Sequence, residues 1–80
     1  MQKKSMNFLE ELLSAPSPSG YESPAAEVFR KYVKSFAHRV DNDVHGNSIS
    51  VLNPEADMRV MLAGHCDEIG FMVTYIDDNG

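Results

Sequence analysis

The stretch APSPSGYESP, residues 15–24, holds three prolines and a glycine in ten residues. Proline lacks the N–H that a helix interior or an inner strand needs, and it pushes the residue before it out of the helical region. The stretch must be a loop, so regular structure lies on either side of it. Upstream, Met6, Leu9, Leu12 and Leu13 recur at helical spacing, which predicts an amphipathic helix over about 5–14 with Ser5 as its N-cap. Downstream, Ser23 followed by Pro24 reads as a helix start: a capping hydroxyl, then a proline where no N–H is required. From there Ala25, Val28, Phe29, Tyr32, Val33 and Phe36 form one apolar stripe opposite Glu27, Arg30, Lys31 and Lys34, predicting a helix over about 24–37.

After Ala37 the period shortens. HRVDN (38–42) reads as a short strand, Asp43 to Gly46 as a turn, and NSISVLN (47–53) as a strand with Ile49 and Val51 on one face. NPEAD (53–57) is a second turn. MRVMLAG (58–64) is apolar on both faces, as in the middle of a sheet, and FMVTYI (71–76) reads as another strand. DDNG (77–80) has the chemistry of a hairpin turn whose returning strand would follow. A longer protein is therefore expected.

Eighty residues suffice for one small domain, and the 42% hydrophobic and 24% charged content is that of a soluble globular chain. Seven Lys and Arg against twelve Asp and Glu leave a net charge of −5, which argues against nucleic-acid or anionic-membrane partners. The single cysteine, Cys66, excludes an internal disulfide and fits a reducing compartment. The N-terminal run is broken by Asn7, Glu10 and Glu11, unlike a signal peptide, and no apolar stretch approaches the ~20 residues of a membrane helix. A cytoplasmic protein is expected.

The chemistry concentrates at His65-Cys66-Asp67-Glu68, directly after the apolar strand. On an extended backbone His65 and Asp67 project to the same side. Imidazole is a common metal ligand, and a carboxylate can share the metal or orient the ring from behind. The alternative is a histidine that closes the strand and bonds Asp67. Cys66 would face the other way and reads as a small core residue rather than a nucleophile. Glu68 is either a general base or a surface residue in the bend. Glu10 and Glu11 belong to a solvated helix face, His45 to a turn, and His38 to a helix end, where it favours the negative end of the dipole. The glycines form no G-x-G-x-x-G motif or P-loop, and no G-x-S-x-G elbow is present. As metal-binding groups His65 and Asp67 would be only one corner of a site, since a catalytic zinc takes about three protein ligands.

Three segments in order, LLSAPSPSGYE (12–22), HGNSISV (45–51) and MLAGHCDEIGFMV (61–73), resemble the start of the tetrahedral, or glutamyl (deblocking), aminopeptidase family of two-metal exopeptidases. Some members carry the label endoglucanase or cellulase, which does not suit that chemistry. The resemblance implies an α/β fold: the N-terminal part of a mixed-sheet, helix-flanked domain, residues 1–70, running into the first strand of an inserted small β domain, residues 71–80. It implies that His65 is a metal ligand and that Asp67 stands behind the site as its support, with Cys66 at a variable position. Two divalent ions, zinc or cobalt with manganese also acceptable to imidazole, are implied, together with peptide substrates and dimers assembling to a twelve-subunit shell. The general base and the remaining ligands are implied beyond Gly80. A carboxypeptidase or deacylase of the same clan, or a non-catalytic binding module, are the rival readings.

Overall fold

A computed structural model describes residues 1–80 as two helices followed by one β-hairpin and a long extended tail. Helix α1 runs Lys3–Ser14, starting ahead of Ser5, so Gln2 rather than Ser5 stands at the N-cap and makes no side-chain capping bond. It ends where the loop dictates. Ala15, the residue before Pro16, takes φ −71° and ψ 125°, the extended conformation that a following proline enforces.

Helix α2 runs Ser23–Val33, shorter than the stripe to Phe36 predicts. Ser23 is already inside the helix and Glu22 is the N-cap. The capping hydroxyl comes instead from Ser17, whose Oγ accepts the Ala25 N–H at 3.0 Å. At the other end the chain tightens: Ala37 N–H and Phe36 N–H both donate to the Val33 carbonyl, at 2.8 and 3.1 Å. Arg30 and Lys31 in the last turn suit the negative end of the helix dipole.

The helices meet through aromatic rings. Phe8 of α1 stacks on Tyr32 of α2 with centroids 4.0 Å apart and planes 14° apart, and Phe36 meets Tyr32 edge-on at 5.7 Å. Such pairs add about 0.5–1.5 kcal/mol beyond the area they bury. Ala25, Ala26 and Val33 of α2, with Ser17, are the only buried residues, so the core is a thin seam along one face of α2.

Strands β1 (Arg39–Asn42) and β2 (Ser48–Val51) pair antiparallel, with Val40 opposite Ser50 and Asp41 opposite Ile49. Asp43 builds the turn between them. Its Oδ1 accepts the N–H groups of His45 and Asn47 at 2.9 Å each, and its Oδ2 accepts the Asn47 side-chain amide at 2.9 Å. Gly46 there takes φ +88°, which favours glycine. The hairpin docks on α2 through Arg30, whose guanidinium donates to Ser48 Oγ at 2.8 Å. His38 is not at a helix end as expected. It lies beyond the turn that follows α2, and its Nδ1 accepts the Asn53 N–H at 3.1 Å, which pins the exit of β2.

The turns at 53–57 and 77–80 form as expected, closed by Ala56 N–H to the Asn53 carbonyl and Gly80 N–H to the Asp77 carbonyl. The strands expected at 58–64 and 71–76 do not form. A strand is defined by the ladder it joins, and neither segment has a neighbour: the one sheet contains β1 and β2 alone. The apolar side chains stay outside, with Leu62 93% and Phe71 fully exposed. The radius of gyration, 16.1 Å, exceeds the ~12 Å of a compact chain of this length for the same reason. The described fold is a small α/β arrangement, two helices and a two-stranded antiparallel sheet. No helix is long and apolar enough to cross a membrane.

Candidate functional site

The proline loop ties the tail back to the folded part. Glu68 forms an isolated parallel bridge with Pro18, its N–H donating to the Ser17 carbonyl at 2.8 Å. The Glu68 carboxylate returns the contact, accepting the Ser17 N–H at 3.2 Å. Glu68 is an exposed residue at the edge of the bend, one of the two roles its sequence position left open, and it also clasps two distant segments together. Gly70 lets the two chains pass closely, because a Cβ there would lie 3.1 Å from Pro18 Cβ.

The proline loop is shaped to receive this contact. Tyr21 N–H donates to the Pro18 carbonyl at 2.8 Å, closing a four-residue turn in which Gly20 takes φ +93°. That positive angle at the third position is the one glycine supplies. Ser19 stands at the corner of the turn, and its hydroxyl donates to Asp67 Oδ2 at 2.5 Å. The other Asp67 oxygen lies 2.8 Å from His65 Nδ1. His65 and Asp67 are brought together as their spacing predicts, and Ser19 completes a line of three.

The carboxyl of Asp67 is held below the usual carboxylate range, first by the Ser19 hydroxyl and then by the bond from His65, with partial desolvation opposing. An ionised carboxylate only accepts, so His65 Nδ1 must carry the proton. In neutral imidazole the Nε2 lone pair is then free, and this tautomer is the one a metal-ligating histidine uses when a carboxylate holds its other nitrogen. The ring is 85% exposed and lines an open cleft of about 470 Å³. Leu12, Ala26 and Phe29 give that cleft an apolar wall, while Glu22 and His45 give it polar edges.

The residues present fit one ligand of a metal, with its supporting carboxylate, and no more. No group of three or more His, Cys, Asp or Glu side chains gathers anywhere in the chain. Cys66 is not the buried core residue expected: it is exposed and lines the same cleft as His65. The expectation assumed a sheet with two covered faces, and the tail has neither. Ser17 and Ser19 escaped the sequence reading altogether. They lie 51 and 48 residues from the carboxylates they hold, and nothing local in a PSPS run marks such partners.

The sequence pattern of the M42 glutamyl aminopeptidase family matches residues 46–80, the C-terminal segment that carries His65 and Asp67. A protein of Acetivibrio thermocellus named "Putative aminopeptidase" is 35% identical over 81 aligned positions, covering all of this chain and 24% of that protein. The lysyl aminopeptidase of Pyrococcus furiosus is 34% identical over 74 positions, covering 91% of this chain and 21% of its own length. The chain thus spans about a quarter of the length of the curated relatives it matches. No solved structure gives a significant match. With the HCDEIGFMV segment inside the matched residues and the whole chain aligned to an aminopeptidase relative, these matches support the M42 glutamyl aminopeptidase family for this chain.

Proposed function

We propose that this chain contributes one corner of the active site of a metal-dependent aminopeptidase that removes residues from the amino end of peptides. The supporting observation is the line His65–Asp67–Ser19 at the cleft edge, which leaves the His65 Nε2 lone pair free. In this reading His65 Nε2 holds one of two divalent ions, zinc or cobalt with manganese also accepted, and Asp67 holds the proton on Nδ1. The ions would supply Lewis-acid polarisation of the scissile carbonyl and a more acidic water. The proton taken from that water needs a general base, and Glu68 is disfavoured for it because its carboxylate already accepts from Ser17. The base and the other ligands come, in this proposal, from further along a longer protein.

The wider arrangement follows the same reading. Residues 1–70 belong to the catalytic domain, a helix-flanked mixed sheet in which 58–64 is an inner strand. Residues 71–80 open an inserted β domain through which subunits form dimers and then a dodecamer in the cytoplasm. The exposed, two-faced apolar pattern of 58–64 supports this, since it suits a segment with neighbours on both sides.

The test is His65→Ala in the full-length protein, measured by zinc content and by hydrolysis of an aminoacyl chromogenic substrate. Both are expected to fall, with hydrolysis lost. Asp67→Asn should keep more metal than His65→Ala and still lose most turnover. Unchanged hydrolysis in His65→Ala would remove the ligand assignment, and equal metal loss in the two variants would make Asp67 a direct ligand.

A further inference from the structure

We propose that Ser19 is a positioning residue for His65, acting through Asp67. The inference deepens the metal-site reading above and rests on it. His65 and Asp67 are both on the tail, which has no strand partners and would leave an i, i+2 pair free to rotate. What fixes the pair is its attachment to the proline loop. The Pro18–Glu68 bridge sets the two backbones side by side, and Ser19 Oγ then reaches across to Asp67 Oδ2.

The two serines flanking Pro18 divide the work. Ser17 is buried and its hydroxyl accepts from Ala25, so it serves helix α2. Ser19 is exposed, and its hydroxyl makes a single bond, to Asp67. Nothing in the helices or the hairpin depends on that hydroxyl. With Asp67 Oδ2 occupied by Ser19, Oδ1 is the oxygen left to hold the imidazole, and the carboxylate cannot swing to offer both oxygens elsewhere. The turn that carries Ser19 is itself braced: Tyr21 N–H bonds the Pro18 carbonyl, and Gly20 N–H bonds Glu22 Oε1 at 2.7 Å. A rigid corner thus orients a carboxylate, and the carboxylate orients the ring.

The experiment compares Ser19→Ala and Ser19→Thr with the parent in the full-length protein. Nitrogen-15 NMR of the metal-free form reads the His65 tautomer, and competition titration with zinc alone reads affinity. Loss of a partner behind a metal ligand typically costs 10–100-fold, so Ser19→Ala is expected to weaken zinc binding by about tenfold. It should also shift His65 from the Nδ1–H tautomer toward a mixture, with the fold retained. Ser19→Thr, which keeps the hydroxyl, should restore the tautomer and the affinity. A Ser19→Ala protein with the parent's tautomer distribution overturns the proposal, as does failure of Ser19→Thr to restore it. His65→Ala binding zinc as tightly as the parent would instead sink the metal-site reading, and the tautomer measurement still judges Ser19 by itself.

Discussion

Two aspartates in this chain are held in their charged form by neighbours, and they differ in what they hold. Asp43 is kept below the usual range chiefly by the Asn47 side-chain amide, then by the Asn47 and His45 N–H groups. Asp67 is kept there first by Ser19. A folded-state pKa below the unfolded value of about 3.9 means that the stability each group lends is complete above that pH. It is lost as pH falls through the depressed folded value, so acid should loosen the hairpin turn and the Asp67 line together. Carboxyl-carbon NMR titration of the metal-free protein is expected to place both midpoints below the ordinary aspartate range. In Ser19→Ala the Asp67 midpoint should rise toward that range while the Asp43 midpoint stays. A stationary Asp67 midpoint would mean that Ser19 does not hold the carboxylate in solution. At this scale the sequence was half legible. The i, i+2 spacing placed His65 beside Asp67, whereas Ser19 arrives through a bridge 48 residues away in the chain.

Helix α2 shows the same division one level up. Its existence and its buried face follow from the 3.6-residue recurrence of apolar side chains, and Ala25 and Val33 of the predicted stripe are buried. Its start lies within a residue of the predicted position, with Pro24 in the first turn, but its cap did not follow. Ser23-Pro24 has the local form of a cap, yet the hydroxyl at the helix end belongs to Ser17, brought in by the folding of the proline loop. Replacing Ser17 by Ala removes that acceptor from the Ala25 N–H, and loss of such a cap costs about 0.5–2 kcal/mol. Ser23→Ala, with its hydroxyl already inside the helix, should cost clearly less. Thermal melts of the two variants separate the assignments: a larger loss in Ser23→Ala would return the cap to the local residue. The strands show the converse. The residues of β1 and β2 are no more strand-like than MRVMLAG, but only they find each other, through a turn that Asp43 and Gly46 close. A helix carries its hydrogen bonds within itself, whereas a strand borrows them, so its pattern can be present without its structure.

Over the whole molecule, the helices and strands end at the hairpin and the chemistry lies on the tail. Between Met58 and Gly64, and again from Phe71 to Ile76, no backbone N–H has a partner within the chain. Val60, Met61, Leu62 and Phe71 are each more than three-quarters exposed. Amide exchange follows the opening of hydrogen bonds, so protection should be distributed unevenly. In the 80-residue chain, the amides of α2 and of the β1–β2 ladder are expected to exchange slowly. Those of 58–64 and 71–76 should exchange at nearly unstructured rates, with Glu68 N–H, bonded to Ser17, as an island of protection between them. Protection over 58–64 equal to that of α2 would show that this segment has found a partner strand, in the same molecule or a second copy. The Glu68 island is the decisive signal for the site. If its amide is as fast as its neighbours, the Pro18–Glu68 clasp does not persist, and Ser19 has no fixed place from which to hold Asp67. If it is slow while both flanks are fast, the clasp organises His65 before any further strand is paired, which is the order of assembly a corner built from two distant segments requires.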